Sequence, residues 1–318
     1  MYKSVVIGCG SISHKHAQGI KRAGAKLASA CDVSENNLTA FCEKYGCEGY
    51  LDYKKMIDEQ KPDAVHICLP HFLHAEAARY AYDSGAKVFL EKPPAMLKTE
   101  FDSLPKDGIT VSFQNRFNKS TEKAIEIINS DMLGKLIGAN AFVTWNRYGK
   151  YYSESDWRGA KSTEGGSLLI NQAIHTLDLL CYIFGKPTCF KSLIANLDHP
   201  GIDTEDTACV MLDFDGKRAT FFATNCAASS PPATVTLLFE KGRVTFDSKS
   251  LSISGGTAEN KTIDFSSDAI GKECWGDAHD IIIDKFYKFI GGGENPCSLQ
   301  SCENTMNLLF EIYEGKLV

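Results

Sequence analysis

The sequence contains no run approaching the ~18 apolar residues that a membrane span needs, so no transmembrane helix and no membrane partner are expected. It has no Cys-x-x-Cys, although it carries 12 cysteines; the closest pairs are Cys42/Cys47 and Cys297/Cys302. Cysteines scattered in this way read as reduced thiols of a cytoplasmic protein rather than as a disulfide framework or a metal site. Internal repeats and low-complexity tracts are also missing, which excludes solenoid architectures. Positive charge is in deficit: Lys+Arg number 34 against 40 Asp+Glu, for a net charge of −6 and a pI of about 5.8. A nucleic-acid or anionic-membrane surface is therefore not expected. The sequence enters a strand within its first residues, so no signal peptide is expected.

What is present suffices for two domains. The 318 residues are 43% hydrophobic and 23% charged, ordinary values for globular domains with cores of their own. Lys3–Ile7 has the apolar character of a buried strand. Gly8-Cys9-Gly10-Ser11-Ile12-Ser13 follows, and then a helical pattern to about Ala23. Strand, glycine-rich turn and helix in this order form a dinucleotide fingerprint. The glycines permit the turn and let a pyrophosphate approach backbone N–H groups at the helix start. Gly8, Gly10, Ser11 and Ile12 are the candidate pyrophosphate residues, and Ser13 occupies the third small position. The next strand, Ala25–Ala30, ends at Asp32, about 20 residues beyond the glycines, where an acid accepts from the adenosine ribose hydroxyls. The competing role for Asp32 is an N-cap of helix Glu35–Tyr45.

Alternation continues. Helix Asp52–Gln60, strand Ala64–Leu69, helix Phe72–Ser84, strand Lys87–Glu91 and strand Ile109–Phe113 follow with short polar connections, the pattern of a doubly wound parallel sheet. In such sheets ligands lie outside the carboxyl ends of the strands. Leu69, Pro70, His71 and His74 after one strand, Glu91 and Lys92 after the next, and Gln114 after the last are therefore assigned to the cofactor edge. Lys92 stands out because Pro93-Pro94 stops the strand directly behind it and holds the lysine at the turn. His66, His71 and His74 lack a carboxylate or cysteine partner at metal spacing, and no metal is expected.

The pattern changes near Phe117–Ser120, which divides the chain into a dinucleotide-binding domain, residues 1–118, and an α+β domain, residues 119–318. In the latter, a strand Leu136–Trp145 leads through an aromatic loop to Gly165-Gly166 and a helix Leu168–Phe184. On that helix Asn171, His175 and Asp178 follow at i,i+4 and i,i+3 spacing, on one face. Histidine near acceptors is the commonest general base near neutral pH; the alternative is a core histidine satisfied by Asp178. Strands dominate from Cys189 to Ser254, and helices Asp277–Ile290 and Leu299–Glu314 close the chain. Strand Thr207–Phe214 turns Ala208, Val210, Leu212 and Phe214 to one face and a mixed set to the other. A semi-apolar sheet face of this kind predicts a homodimer or homotetramer.

Gly8-Cys9-Gly10, Glu91-Lys92-Pro93 and Gly165-Gly166…Asn171…His175…Asp178 occur in an order that resembles the Gfo/Idh/MocA family of nicotinamide-dependent sugar and inositol oxidoreductases. The resemblance covers essentially the whole chain. It implies a Rossmann domain followed by a domain with an open, mostly antiparallel sheet, NAD as cofactor, and Lys92 and His175 as the catalytic pair. It also implies that Trp157 and Arg158 border the nicotinamide end, and that a cis bond precedes Pro93. Many family dehydrogenases have aspartate where Asn171 stands; asparagine can orient a hydroxyl but cannot take its proton, which leaves that task to His175. The resulting expectation is hydride transfer between NAD and a secondary alcohol or ketone of a sugar, glycoside or inositol. Two alternatives remain open: a redox-assisted glycosidase that keeps NAD bound, and a non-catalytic dinucleotide sensor.

Overall fold

The structure, a computed structural model, describes residues 1–148, 150–255, 260–266 and 278–315. The chain divides into two units. The first holds Met1–Ser112 together with His279–Cys302, and the second holds Phe113–Ala278 with Glu303–Val318. The division thus falls a few residues before the expected one, and a late segment returns to the first unit. Nothing in the local sequence of that segment marks its destination.

In the first unit six strands, β1 (Lys3–Ile7), β2 (Lys26–Cys31), β3 (Glu48–Tyr50), β4 (Ala64–Ile67), β5 (Lys87–Leu90) and β6 (Ile109–Val111), pair in the order 3-2-1-4-5-6. Every pairing is parallel, the Rossmann arrangement. Helices α1 (Ser13–Arg22), α2 (Glu35–Tyr45), α3 (Tyr53–Gln60), α4 (His74–Asp83) and α5 (Lys98–Ser103) connect the strands. Burial on both faces explains why β1 and β4 read as continuous apolar runs; Val5, Val6, Val65 and Ile67 are fully buried. Ser34 caps α2, accepting from the Asn37 N–H, and Asp52 caps α3. Asp32 is therefore released from the capping role. The helix expected from Phe72 begins instead with a 3₁₀ turn, His71–Leu73.

The second unit begins with helix α6 (Lys119–Asn129). Its sheet contains β7 (Leu136–Thr144), β8 (Cys189–Ala195), β9 (Thr207–Phe214), β10 (Lys217–Thr224), β11 (Thr234–Phe239), β12 (Gly242–Phe246), β13 (Ser250–Gly255) and β14 (Lys261–Asp264). They are ordered 14-13-12-11-7-10-9-8. All neighbours are antiparallel except β7 and β10. Period-2 alternation holds along β9: Ala208, Val210, Leu212 and Phe214 are buried. Short helices α7 (Lys150–Ser153) and α8 (Lys161–Glu164) interrupt the aromatic loop.

The long helix expected over Leu168–Phe184 is broken. Leu168–Gln172 is a π-helical turn, and α9 starts afresh at Ile174 and runs to Phe184. The segments Lys161–Gln172 and Ile174–Phe184 bend by 60°. Asn171 and His175 thus do not share a regular helical face. No single helix among the described residues is long and apolar enough to cross a membrane.

Helix α10 (Ala278–Ile290), whose residues from His279 onward fall in the first unit, packs closely on α1 there. A Cβ at Gly19 would lie 2.6 Å from Ile283 Cδ1, so the helices approach only because that position carries no side chain. Helix α11 (Glu303–Tyr313) closes the second unit.

Candidate functional site

The glycine turn of the first unit is shaped by two contacts. Gly8 has φ +91°, and a Cβ there would run into the Cys68 carbonyl at the end of β4; only glycine fits. Around Gly10, by contrast, the space a Cβ would occupy is open to 4 Å. Asp32 leaves β2 with its carboxylate turned to this loop. Oδ2 accepts from the Cys9 N–H at 2.7 Å, and Oδ1 accepts from the Ser34 N–H at 2.8 Å. Ser13 is fully buried and donates to the Gly10 carbonyl at 2.6 Å. Helix α1 has no acidic residue in its first turn and no side-chain cap. An open glycine turn, an uncapped helix start and a carboxylate at the β2 end fit a dinucleotide: pyrophosphate over the turn, ribose at Asp32.

Lys92 follows β5, and the Lys92–Pro93 bond is cis. Both of its neighbours in the chain are anchored inside the unit. Behind it, Glu91 is buried and its Oε1 lies 3.0 Å from His16 Nε2 and 3.4 Å from His279 Nε2. Burial pushes the Glu91 carboxyl up, but the hydrogen bonds from His16 and His279 outweigh it and hold the group well below the usual range. An ionised carboxylate only accepts, so both histidines donate from Nε2. The remaining polarity follows, because burial holds His16 and His66 neutral. His66 Nδ1 donates to His16 Nδ1 at 3.1 Å, the Tyr287 hydroxyl donates to His66 Nε2 at 3.0 Å, and Ser4 donates to Tyr287 at 2.6 Å. The donor atoms of His16, Glu91 and His279 lie within 4.8 Å of one another. A carboxylate thus does complete a histidine cluster, one that sequence spacing could not reveal because its members are far apart in the chain.

Ahead of Lys92, His74 sits between two loops. Its Nδ1 is 2.7 Å from the Pro93 carbonyl and its Nε2 is 2.7 Å from the Leu69 carbonyl. Burial pulls its pKa down, while the two carbonyls and Glu91 push the other way. His71, in the 3₁₀ turn, is buried with its ring 5.7 Å from that of His74. Glu91 Oε1 and both ring nitrogens of His74, residues expected at the cofactor edge, therefore face protein partners. Leu69 and Pro70 are part-exposed where β4 ends.

The second unit brings Gln114 to His175, while Asn171 is engaged elsewhere, an arrangement the sequence pattern does not suggest. Gln114 lies in this unit, in a 3₁₀ turn, and its Nε2 donates to His175 Nε2 at 3.4 Å. The Phe113 ring stands edge-on to His175 at 6.0 Å. Asp178 is not the histidine's partner: it accepts from Arg116 Nε and Nη2 at 2.8 and 2.6 Å and from Thr305 at 2.8 Å, fully buried. Asn171 Nδ2 donates to Glu164 Oε1 at 2.6 Å and approaches the Tyr151 hydroxyl at 3.4 Å. The Arg158 guanidinium lies 4.5 Å from the Tyr151 ring and 5.5 Å from that of Trp157.

Glu164 is the group that sequence reasoning missed. It is fully buried, accepts from the Gly159 N–H at 2.5 Å, and its pKa is pushed up to about 7 by burial. Lys-Ser-Thr-Glu before a glycine pair carries no signal of burial. Burial likewise pushes the Tyr151 hydroxyl up to about 12, a poor proton acceptor near neutral pH. A second group of donors, His199 Nδ1, Asp206 and Cys226, lies within 4.8 Å in this unit. Asp206 is engaged there by the Leu197 and Asp198 N–H groups and by His199.

Two family models match the chain. Residues 2–106 match the oxidoreductase family described by its NAD-binding Rossmann fold, and residues 121–245 match the GFO/IDH/MocA C-terminal domain. Among curated proteins, D-glucoside 3-dehydrogenase of Escherichia coli is 31% identical over 193 residues, 57% of this chain and 54% of that protein. Myo-inositol 2-dehydrogenase of Thermotoga maritima is 29% identical over 138 residues, 41% of each. The chain thus spans about half the length of the curated relatives it matches. The solved WlbA dehydrogenase of Chromobacterium violaceum, in complex with NADH and UDP-GlcNAcA, is 25% identical, with a TM-score of 0.84 over 99% of this chain and 93% of that one.

Proposed function

The chain belongs to the GFO/IDH/MocA oxidoreductase family and carries its NAD-binding Rossmann fold; from that premise we propose that it oxidises or reduces a secondary alcohol or ketone of a sugar, glycoside or inositol. The observation that carries the reading is Lys92: a lysine at the carboxyl end of a Rossmann strand, with its two chain neighbours anchored by buried side chains. The relatives named for D-glucoside and myo-inositol support a polyhydroxylated ring as substrate.

NAD, when bound, supplies the two-electron acceptor or donor. Gly8–Ile12 and Asp32 hold it by the turn and the carboxylate described above. Lys92 donates a charged hydrogen bond to the substrate oxygen and favours alkoxide character there. His175 takes the hydroxyl proton at Nε2, where the substrate hydroxyl replaces the Gln114 amide N–H that this nitrogen meets at 3.4 Å. Asn171, its amide nitrogen held by Glu164, orients the substrate without titrating.

The test is a screen of cofactor reduction with inositols, free sugars, glucosides and nucleotide sugars. Turnover with at least one of these is expected, together with a fall of about 10²-fold or more in Lys92→Ala and His175→Ala. NAD affinity should change far less in both variants. Binding of NAD without turnover across the panel would favour the sensor; release of an aglycone without reduced cofactor would favour the glycosidase.

A further inference from the structure

Lys92 is flanked on both sides by residues tied to buried imidazoles. Glu91, one residue before it, accepts from His16 on α1 and His279 on α10. Pro93, one residue after it, presents its carbonyl to His74, whose other ring nitrogen meets the Leu69 carbonyl at the end of β4. The Glu91 N–H also extends the ladder to the Ile67 carbonyl at 3.1 Å, one residue past β5. Three histidines on three helices thus converge on a stretch of three residues. All three are buried: His16 is 0% exposed, His74 1% and His279 3%. Burying that many titratable groups is costly unless they are hydrogen-bonded, and their bonds lead to the two residues on either side of Lys92.

We propose that His74 and the His16–Glu91–His279 cluster are positioning residues for Lys92: they fix the backbone on both sides of it before any substrate binds. His74 has a second consequence. Both of its partners are acceptors, so a neutral ring donates to one and only the imidazolium donates to both; the contact with Pro93 ties the loop after β5 to the start of α4, which follows β4. Glu91 joins the same stretch to α10, a helix that comes from the far end of the sequence.

The inference rests on the reading of Lys92 as a catalytic residue for its meaning but not for its test, which follows Lys92 directly. The full-length protein is treated with acetic anhydride, and acetylation of the Lys92 peptide is followed by mass spectrometry. Lys55, whose side chain is 65% exposed, is the reference in the same sample. In His74→Ala and Glu91→Ala the Lys92 rate should rise severalfold against Lys55. In Glu91→Gln, which keeps an oxygen that can accept from both histidines, it should stay near wild type. With the substrate found in the screen, the two alanine variants should lose about tenfold or more in kcat, the scale of a misplaced reacting group, with a smaller change in KM. Where His74→Ala does not fold, His74→Leu, which fills the space but donates to neither carbonyl, takes its place. Wild-type Lys92 labelling in a folded His74→Ala or His74→Leu and a folded Glu91→Ala would overturn the proposal, whatever happens to turnover. Full turnover in Lys92→Ala would remove the catalytic reading and leave the labelling result to decide the positioning role.

Discussion

At the scale of single residues, two carboxylates with opposite environments make separate predictions. Asp32 is held by backbone N–H groups at the place where the adenosine ribose of a dinucleotide lies. A 2′-phosphate would meet like charge there, and Val33–Asn37 contains no arginine to offset it. NAD should therefore bind more tightly than NADP in a direct titration, and Asp32→Ser should narrow the gap; tighter binding of NADP to the wild type would refute this. Glu164 is the opposite case. Its folded pKa is raised to about 7 by burial, above the value of an unfolded glutamate. The folded state then holds a proton that the unfolded state has lost, so this contribution to stability is full at low pH and declines as pH rises from about 4.5 towards 7. Across that window each pH step of about one corresponds to a loss of at most about 1.4 kcal/mol. Chemical denaturation at several pH values should show that decline in the wild type and not in Glu164→Gln. A parallel decline in both would assign it to another group.

At the scale of elements, close helix packing depends on one missing side chain. Gly19 lets α10 seat on α1, because a Cβ there would press on Ile283 at 2.6 Å. Gly19→Ala should destabilise the protein by about 1–3 kcal/mol, the usual cost of overpacking, and adding Ile283→Val or Ile283→Ala should recover part of it in denaturant melts. Stability unchanged in Gly19→Ala would show that the helices have room to spare. This contact also marks where the sequence stops being legible. The parallel sheet is readable because β1, β4 and β5 are apolar runs punctuated by Gly8, Pro70 and Pro93. Lys92 and the glycine turn are readable because strand ends are where such sheets bind ligands. The seat of α10 is not, since its partner lies more than 250 residues earlier and only Gly19 hints at a close approach. The same holds for the His16–Glu91–His279 cluster. The break at Ala173 escapes a reading of the sequence because Leu-Leu-Ile-Asn-Gln has good helical character. What diverts it is tertiary: Glu205 accepts from the Leu169 N–H at 2.8 Å, and the Tyr313 hydroxyl accepts from the Ile170 N–H at 3.1 Å. Asp178 pairs with Arg116 rather than His175 for a similar reason, because a bidentate guanidinium from a distant turn outcompetes a neighbour on the same helix.

At the scale of the whole molecule, the register of the second sheet builds a surface that single strands only suggest. Cross-strand pairing places Leu193 opposite Cys209, Cys209 opposite Phe222 and Phe222 opposite Phe142. These side chains form one row across β8, β9, β10 and β7 on the face away from the buried alternation. Leu193 is 70% exposed, Phe142 46%, and Met211 in the adjacent row 61%. An antiparallel sheet can leave one face to water, but a row of large apolar side chains there is the kind of surface that marks an association site. We propose that this face joins copies of the chain into a dimer or tetramer. A two-fold contact is the simplest form, because the same patch on two copies can meet itself. Light scattering at micromolar concentration should give at least twice the mass of one chain, 34.9 kDa. Phe142→Glu combined with Leu193→Glu should shift the species to the monomer, since two charges per copy would be desolvated at the centre of the contact. Neither substitution touches the glycine turn, Lys92 or His175, so NAD affinity in the double variant separates loss of assembly from loss of fold. A wild-type monomer at that concentration would eliminate the proposal, and an oligomer indifferent to both substitutions would move the contact to another face.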